Sequence, residues 1–202
     1  MPLSHQRPIL YAITSGATKS DTTADDYPFI RILQLAEAAV AAQISLFQIR
    51  EKNLTTRVLY DLVTRAAKIT RGSATALLVN DRFDVAVAAG ADGVHLTSTS
   101  LPARVVRAVC DPEFLIGAST HSLESALDAR DNGADFAVFG PVFETESKRV
   151  YGPPQGLEKL RQVTSALSGF PVLAIGGVNV DNAEECFAAG ASGFAGISWF
   201  NK

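Results

Sequence analysis

The chain has 202 residues, of which 47% are hydrophobic and 19% charged; that is enough apolar material for a large core and too little charge for a disordered chain. A formal net charge of −3 gives no sign of a nucleic-acid surface, and a site for an anionic metabolite has to be locally positive. The two cysteines, Cys110 and Cys186, match no metal-ligand spacing and read as buried thiols of a protein made in a reducing compartment. Met1 to Arg7 hold no apolar signal core, and no stretch approaches the ~20 apolar residues of a membrane helix, so a cytoplasmic protein without a membrane partner is expected.

Along the chain, short apolar runs alternate with longer helical stretches. Ile9 to Thr14 reads as a strand. Asp26 to Gln43 reads as a helix whose apolar face is Ile30, Ile32, Leu33, Leu35, Ala36 and Ala39. Ser45 to Ile49 is the second strand, and Leu54 to Thr70 the second helix, with Leu59, Leu62, Val63 and Ala66 at three- and four-residue steps. Further strands are expected at Ala76–Asn80, Gly93–Thr97, Phe114–Ser119, Phe136–Gly140, Pro171–Gly176 and Gly193–Ser198. Helices are expected at Asp84–Ala89, Pro102–Val109, Ser122–Asn132, Leu157–Ser168 and Val180–Ala189, with Ser122 as an N-cap.

Strands separated by helices imply right-handed βαβ units and a parallel sheet. Eight of them predict a single (β/α)8 TIM barrel over residues 1–202, with an open doubly wound sheet as the alternative. Three similar corners support the barrel: Ala89-Gly90-Ala91-Asp92-Gly93, Asn132-Gly133-Ala134-Asp135-Phe136 and Ala189-Gly190-Ala191-Ser192-Gly193. Each puts Gly where a helix must end in a left-handed residue. Only four residues follow Ser198, which leaves no room for a full eighth helix; either the sequence is truncated, or a homodimer partner covers that flank, with Trp199 and Phe200 either part of that contact or a frayed tail.

Barrel chemistry sits where the strands end. After the second strand, alternation puts Gln48, Arg50 and Lys52 on one face, where an amide and two cations suit a phosphate or pyrophosphate. The alternative is a strand end salt-bridged with Glu51 or another acid. Asn80-Asp81 follows the third strand; Asp81 could hold Mg²⁺ or could cap the next helix. The run His95 to Ser100 has hydroxyls and a ring nitrogen but no carboxylate. His121, beside Ser119, sits where an acid/base would stand; the alternative is a histidine bonded to a neighbouring loop. The segment from Gly140 to Gly156 is polar and non-periodic, as a substrate-covering loop would be, and its Thr145, Ser147 and Lys148 could grip an anion; the alternative is an ordinary solvated loop. Gly176 and Gly177, with Ile197 and Ser198, occupy the loops that form a phosphate cup in barrels.

These residues, in this order, resemble the thiamine phosphate synthase/TenI family: Gln48-Ile49-Arg50-Glu51-Lys52, Val79-Asn80-Asp81-Arg82, Gly93-Val94-His95-Leu96, Ile116 to His121, Phe139 to Phe143 with Thr145 and Lys148, and Ala174 to Val178. The resemblance implies two chemistries. Synthases join a pyrimidine methyl pyrophosphate to a thiazole phosphate, with Mg²⁺ held by two aspartates. On that pattern Gln48, Arg50, Lys52 and Asn80 face the pyrimidine pyrophosphate, and Asp81 is the first metal ligand. Ser119, Thr145, Ser147 and Lys148 hold pyrophosphate and thiazole phosphate, while Gly177, Ile197 and Ser198 cup the latter.

The second aspartate of that pattern is Ser100 here. TenI-type tautomerases aromatise a thiazole carboxylate phosphate without metal, with a histidine moving the proton. The serine-rich loop before Ser100 therefore makes a TenI-like tautomerase with His121 as acid/base, and no cofactor, the leading expectation. A Mg²⁺-dependent synthase is the alternative, and a non-catalytic phosphate-binding barrel the third reading.

Overall fold

The computed structural model describes residues 8–145 and 153–197. They form eight parallel strands in the closed order β1 to β8, with seven helices outside: a TIM barrel, as the alternation predicts, and not an open sheet. The elements are β1 (Ile9–Ile13), α1 (Tyr27–Ala41), β2 (Leu46–Ile49), α2 (Thr56–Thr70), β3 (Ala76–Asn80), α3 (Phe83–Ala89), β4 (Gly93–Leu96) and α4 (Ala103–Arg107). They continue with β5 (Leu115–Thr120), α5 (Leu123–Asp131), β6 (Phe136–Phe139), α6 (Gly156–Ala166), β7 (Val172–Ile175), α7 (Ala183–Ala188) and β8 (Gly193–Gly196). The chain divides into two compact units, one built on Tyr11 to His95 and the other on Ile116 to Gly196.

In the first unit the strand register is Tyr11 with Leu46, Gln48 with Leu78, Leu78 with Gly93, and Asn80 with His95. Partners in a parallel ladder point the same way, and side chains alternate with a period of two. Tyr11, Gln48, Asn80 and His95 therefore share one face. The helices close the other face. α1 buries Phe29, Ile32, Leu35, Ala36 and Ala39; of the expected face Ile32, Leu35, Ala36 and Ala39 are buried and Leu33 half-buried, while Ile30 is exposed and Phe29 is buried beside it. α2 buries Leu59, Leu62, Val63, Ala66, Ala67 and Thr70, starts at a Thr55 cap that accepts from the Val58 amide at 3.4 Å, and lays the Arg65 guanidinium 5.3 Å from the Phe29 ring centroid. Each large apolar side chain so buried contributes about 1.5–3 kcal/mol.

In the second unit β5, β6, β7 and β8 run in register through Ala118, Ala137 and Val172, and through Ala174 and Phe194. Ser122 caps α5 as expected: its Oγ accepts from the Ser125 amide at 3.1 Å, and the Ser125 Oγ accepts from the Ser122 amide at 3.1 Å.

The three Gly-Ala corners all end their helices in the same way. Gly90, Gly133 and Gly190 have φ of 74°, 90° and 89°, and the next alanine donates its amide to the residue five back: Ala91 to Ala86 at 2.9 Å, Ala134 to Ala129 at 3.0 Å and Ala191 to Cys186 at 3.0 Å. The following residue then joins the previous strand. Asp92 accepts the Leu77 amide at 2.7 Å, Asp135 accepts the Ile116 amide at 2.7 Å, and the Ser192 amide donates to Val172 at 2.9 Å.

Cys186 is buried, and burial pushes its thiol up to about 11; Cys110 is only half-buried, so the reading of two buried thiols holds for one of them. Among the described residues no helix is long and apolar enough to cross a membrane.

Candidate active site

The polar residues predicted at the strand ends of the first unit lie at the ends of β2 and β3 or directly after them. β2 stops at Ile49, so Arg50 and Lys52 follow the strand. Gln48 is buried, and its Nε2 donates to the Tyr11 hydroxyl at 2.6 Å. Arg50 is half-buried and Lys52 exposed, whereas the residue between them, Glu51, is buried. The salt-bridged alternative for Glu51 is also displaced: its carboxylate accepts four hydrogen bonds from Thr14, Gly16 and Thr18.

Asn80, half-buried, ends β3 level with His95. Asp81 follows with φ of 65° and an exposed side chain, its amide donating to the His95 carbonyl at 2.9 Å. A left-handed aspartate is uncommon, and such backbones gather at functional sites. Asp81 does not cap α3. Arg82 occupies the cap position without a side-chain cap bond, and its guanidinium pairs with Asp84 at 2.6 Å.

His95 is buried, with its ring centroid 5.7 Å from that of Tyr11. Burial first, and the Arg50 guanidinium second, push it down to about 3, so the ring is neutral at physiological pH. Burial raises the Tyr11 phenol, and the Gln48 amide opposes that in part.

In the second unit the loop after β4 is closed on itself: the Ser100 Oγ accepts from the Thr97 amide at 2.8 Å and lies 3.1 Å from the Thr97 Oγ1. Ser119 is half-buried near the end of β5. His121 stands exposed just beyond it, with Nδ1 2.5 Å from the Gly140 carbonyl oxygen. A carbonyl only accepts, so Nδ1 carries a proton, which leaves Nε2 as the nitrogen able to exchange one with a substrate.

Gly176 and Gly177 have φ of 93° and 68°, and a Cβ on either would collide with the segment after β6. At Gly176 it would lie 2.5 Å from the Pro141 Cβ; at Gly177, 2.7 Å from the Phe143 Cβ and 2.8 Å from the Glu144 oxygen. The Phe143 amide donates to Gly176 at 2.9 Å, and the Asn182 Nδ2 to Gly177 at 2.9 Å. Thr145 is half-buried at the end of this segment, and Ile197 is exposed beyond β8. Ser147, Lys148, Ser198, Trp199 and Phe200 lie outside the described residues.

Sequence reasoning missed Tyr11 and Glu51. The signal for Glu51 was an acid between two cations, facing a Thr14-x-Gly16-x-Thr18 run rich in small donors.

The profile of the family described as thiamine monophosphate synthase matches residues 10–200. The chain belongs to the thiamine monophosphate synthase (TMP-TENI) family. Within it, the thiamine-phosphate synthase of Methanoculleus marisnigri is 43% identical over 164 residues, 81% of this chain and 77% of that protein. The thiamine-phosphate synthase of Moorella thermoacetica is 40% identical over 166 residues, 82% of this chain and 79% of that one. Among solved structures, thiamine phosphate pyrophosphorylase from Pyrococcus furiosus superposes with a TM-score of 0.75 at 36% identity, covering 94% of this chain and 85% of that one. These family relatives carry the synthase name, so the leading expectation from the sequence, a TenI-like tautomerase, draws no specific support from them.

Proposed function

We propose that this protein is a thiamine-phosphate synthase, joining a pyrimidine methyl pyrophosphate to a thiazole phosphate. The observation that carries the reading is the polar strand-end set of the first unit: Gln48, Asn80 and His95 on one face, with Arg50 and Asp81 directly after it. Synthases at 43% and 40% identity supply the chemistry to which such a set corresponds.

In that reaction the bond between the methylene carbon and the pyrophosphate oxygen breaks, and its electron pair leaves with pyrophosphate. The thiazole nitrogen forms the new bond to the same carbon. Negative charge grows on the leaving oxygen, so fixed cations next to it lower the barrier. Arg50 and Lys52 would take that role. Neutral His95 adds no competing charge beside Arg50. Gln48, with its Nε2 engaged by Tyr11, presents its carbonyl oxygen to a donor on the pyrimidine. On the family pattern, Ser119, Thr145, Ser147 and Lys148 would hold pyrophosphate and thiazole phosphate, and Gly176, Gly177, Ile197 and Ser198 would cup the thiazole phosphate.

Mg²⁺ takes oxygen ligands and is often held by one or two carboxylates plus substrate phosphates. Asp81, an exposed carboxylate, fits one such position. Ser100 offers a neutral hydroxyl already bonded within its own loop, and among the described residues no three acidic, His or Cys side chains gather. The ion, when bound, would neutralise the pyrophosphate, with Asp81 as its protein ligand and substrate oxygens completing the shell.

Ser100 and His121 Nε2 favour a second reading, a metal-free thiazole tautomerase. One assay separates them. The protein is given pyrimidine methyl pyrophosphate, thiazole phosphate and Mg²⁺, and thiamine phosphate is quantified. Enzyme-like turnover supports the synthase; none, with turnover of thiazole carboxylate phosphate instead, replaces it with the tautomerase.

A further inference from the structure

Among the described residues of the first unit, Glu51 is the one buried carboxylate, and the reaction above does not use it. It is 4% exposed, and both of its oxygens are fully employed. Oε1 accepts from the Thr14 hydroxyl at 2.6 Å and from the Gly16 amide at 3.1 Å. Oε2 accepts from the Thr18 amide at 3.0 Å and the Thr18 hydroxyl at 2.7 Å. All of these donors belong to the loop that leaves β1, so Glu51 binds that loop to the tail of β2. The Asn53 Nδ2 donates to the Thr18 carbonyl at 3.2 Å and ties the same loop to the residues after Lys52.

The loop in turn reaches Arg50. Thr14 Oγ1 gives its proton to Glu51 and therefore stands as an acceptor toward the Arg50 amide, which lies 2.9 Å away. Gly16, with φ of 78°, brings the loop so close that a Cβ there would lie 3.4 Å from the Arg50 carbonyl oxygen and 3.7 Å from its Nη1. The backbone of Arg50 is thus held from one side, and the space available to its guanidinium is bounded by the Gly16 turn.

We propose that Glu51 is a positioning residue: through Thr14, Gly16 and Thr18 it aims Arg50 at the pyrophosphate of the substrate. The inference rests on the synthase reading for its substrate, and on geometry alone for the clamp. Only a group that accepts at both oxygens can serve. In Glu51→Gln, either orientation of the amide points its NH2 at a backbone N–H, that of Gly16 or that of Thr18, and neither amide can turn to accept.

The test uses the whole chain. Glu51→Gln should speed hydrogen exchange of the residue 14–18 amides while leaving those of β6 and β7 protected. It should raise KM for the pyrimidine pyrophosphate about tenfold or more, with KM for thiazole phosphate within about twofold of wild type, because a misdirected guanidinium loses a charge-assisted contact to one substrate only. A general loss of stability would instead move both constants or neither. Thr18→Val, which removes one of the four bonds and keeps the volume, should move the same constant the same way by a smaller factor, and stands in if Glu51→Gln does not fold. Equal changes in the two KM values, or faster loop exchange with both unchanged, would overturn the proposal.

If the wild-type protein makes no thiamine phosphate, the synthase reading fails, and the clamp is read by calorimetry with inorganic pyrophosphate. Binding weakened about tenfold in Glu51→Gln sustains it. Equal affinity in the two proteins, or none in either, overturns it.

Discussion

Replacing His95 by asparagine should change the acid limb of the stability curve. The ring is buried and held at about 3 in the folded protein, against 6.5 in an open chain. Between those values the unfolded chain binds a proton that the folded one refuses, so stability rises with pH across the window and the wild type loses it as pH falls below 6.5. From pH 7 to pH 5 the loss from this one group is about 2 kcal/mol, and it stops growing only below a pH of about 3. His95→Asn abolishes the contribution, whatever its own effect at pH 7. Urea unfolding at pH 7, 6 and 5 would measure it. The midpoint of the variant relative to wild type should climb by roughly 1 M as pH falls to 5, for a denaturant slope of about 2 kcal/mol per M. The other titrating groups are common to both proteins and cancel in the difference. Parallel curves would refute the argument, since they require His95 to protonate in the folded state as readily as in the unfolded one.

Three other substitutions address the chemistry. His121→Ala should lower tautomerase turnover by about a hundredfold or more and synthase turnover by less than about tenfold, because only the former needs the proton carrier; a large loss of synthase rate would place His121 in that reaction instead. Ser100→Asp should lower the Mg²⁺ concentration that half-saturates thiamine phosphate formation by about tenfold, about 1.4 kcal/mol of added binding. An unchanged Mg²⁺ dependence would show that position 100 does not reach the ion. Gly177→Ala, with a positive φ and a Cβ overlapping Phe143 and Glu144, should lose about 1–3 kcal/mol and shift Tm down, with KM for thiazole phosphate raised. A Tm within error of wild type would contradict the packing described.

The number and order of strands were legible because each short apolar run is bounded by turn residues, and because the Gly-Ala corner recurs at Gly90, Gly133 and Gly190 with one backbone solution. The stripe of α1 was legible at Ile32, Leu35, Ala36 and Ala39 but not at its start: Phe29 and Ile30 are both strongly apolar, and only packing chooses between them. The strand-end chemistry was legible as a list, but the role of Glu51 was not. Glu51 is buried because its donors, Thr14 to Thr18, come from a segment more than thirty residues earlier, a pairing that no local period encodes. Likewise, the position of His121 follows from its place after β5, but its tautomer depends on the Gly140 carbonyl, supplied by another strand end.

The contact of Gly176 and Gly177 with Pro141, Phe143 and Glu144 bears on how such proteins diverge and how they could be rebuilt. The segment after β6 and the turn after β7 are coded far apart but are spatially a single casting: the second is moulded to the backbone of the first. A graft that imports only the β6 segment from a relative would have to keep the imprint of those two glycines. A graft that imports only the turn would inherit a mould for someone else's loop. Exchange of substrate preference between members is therefore expected to travel by paired replacement of these two segments, with single-segment chimaeras failing at expression before specificity can be measured.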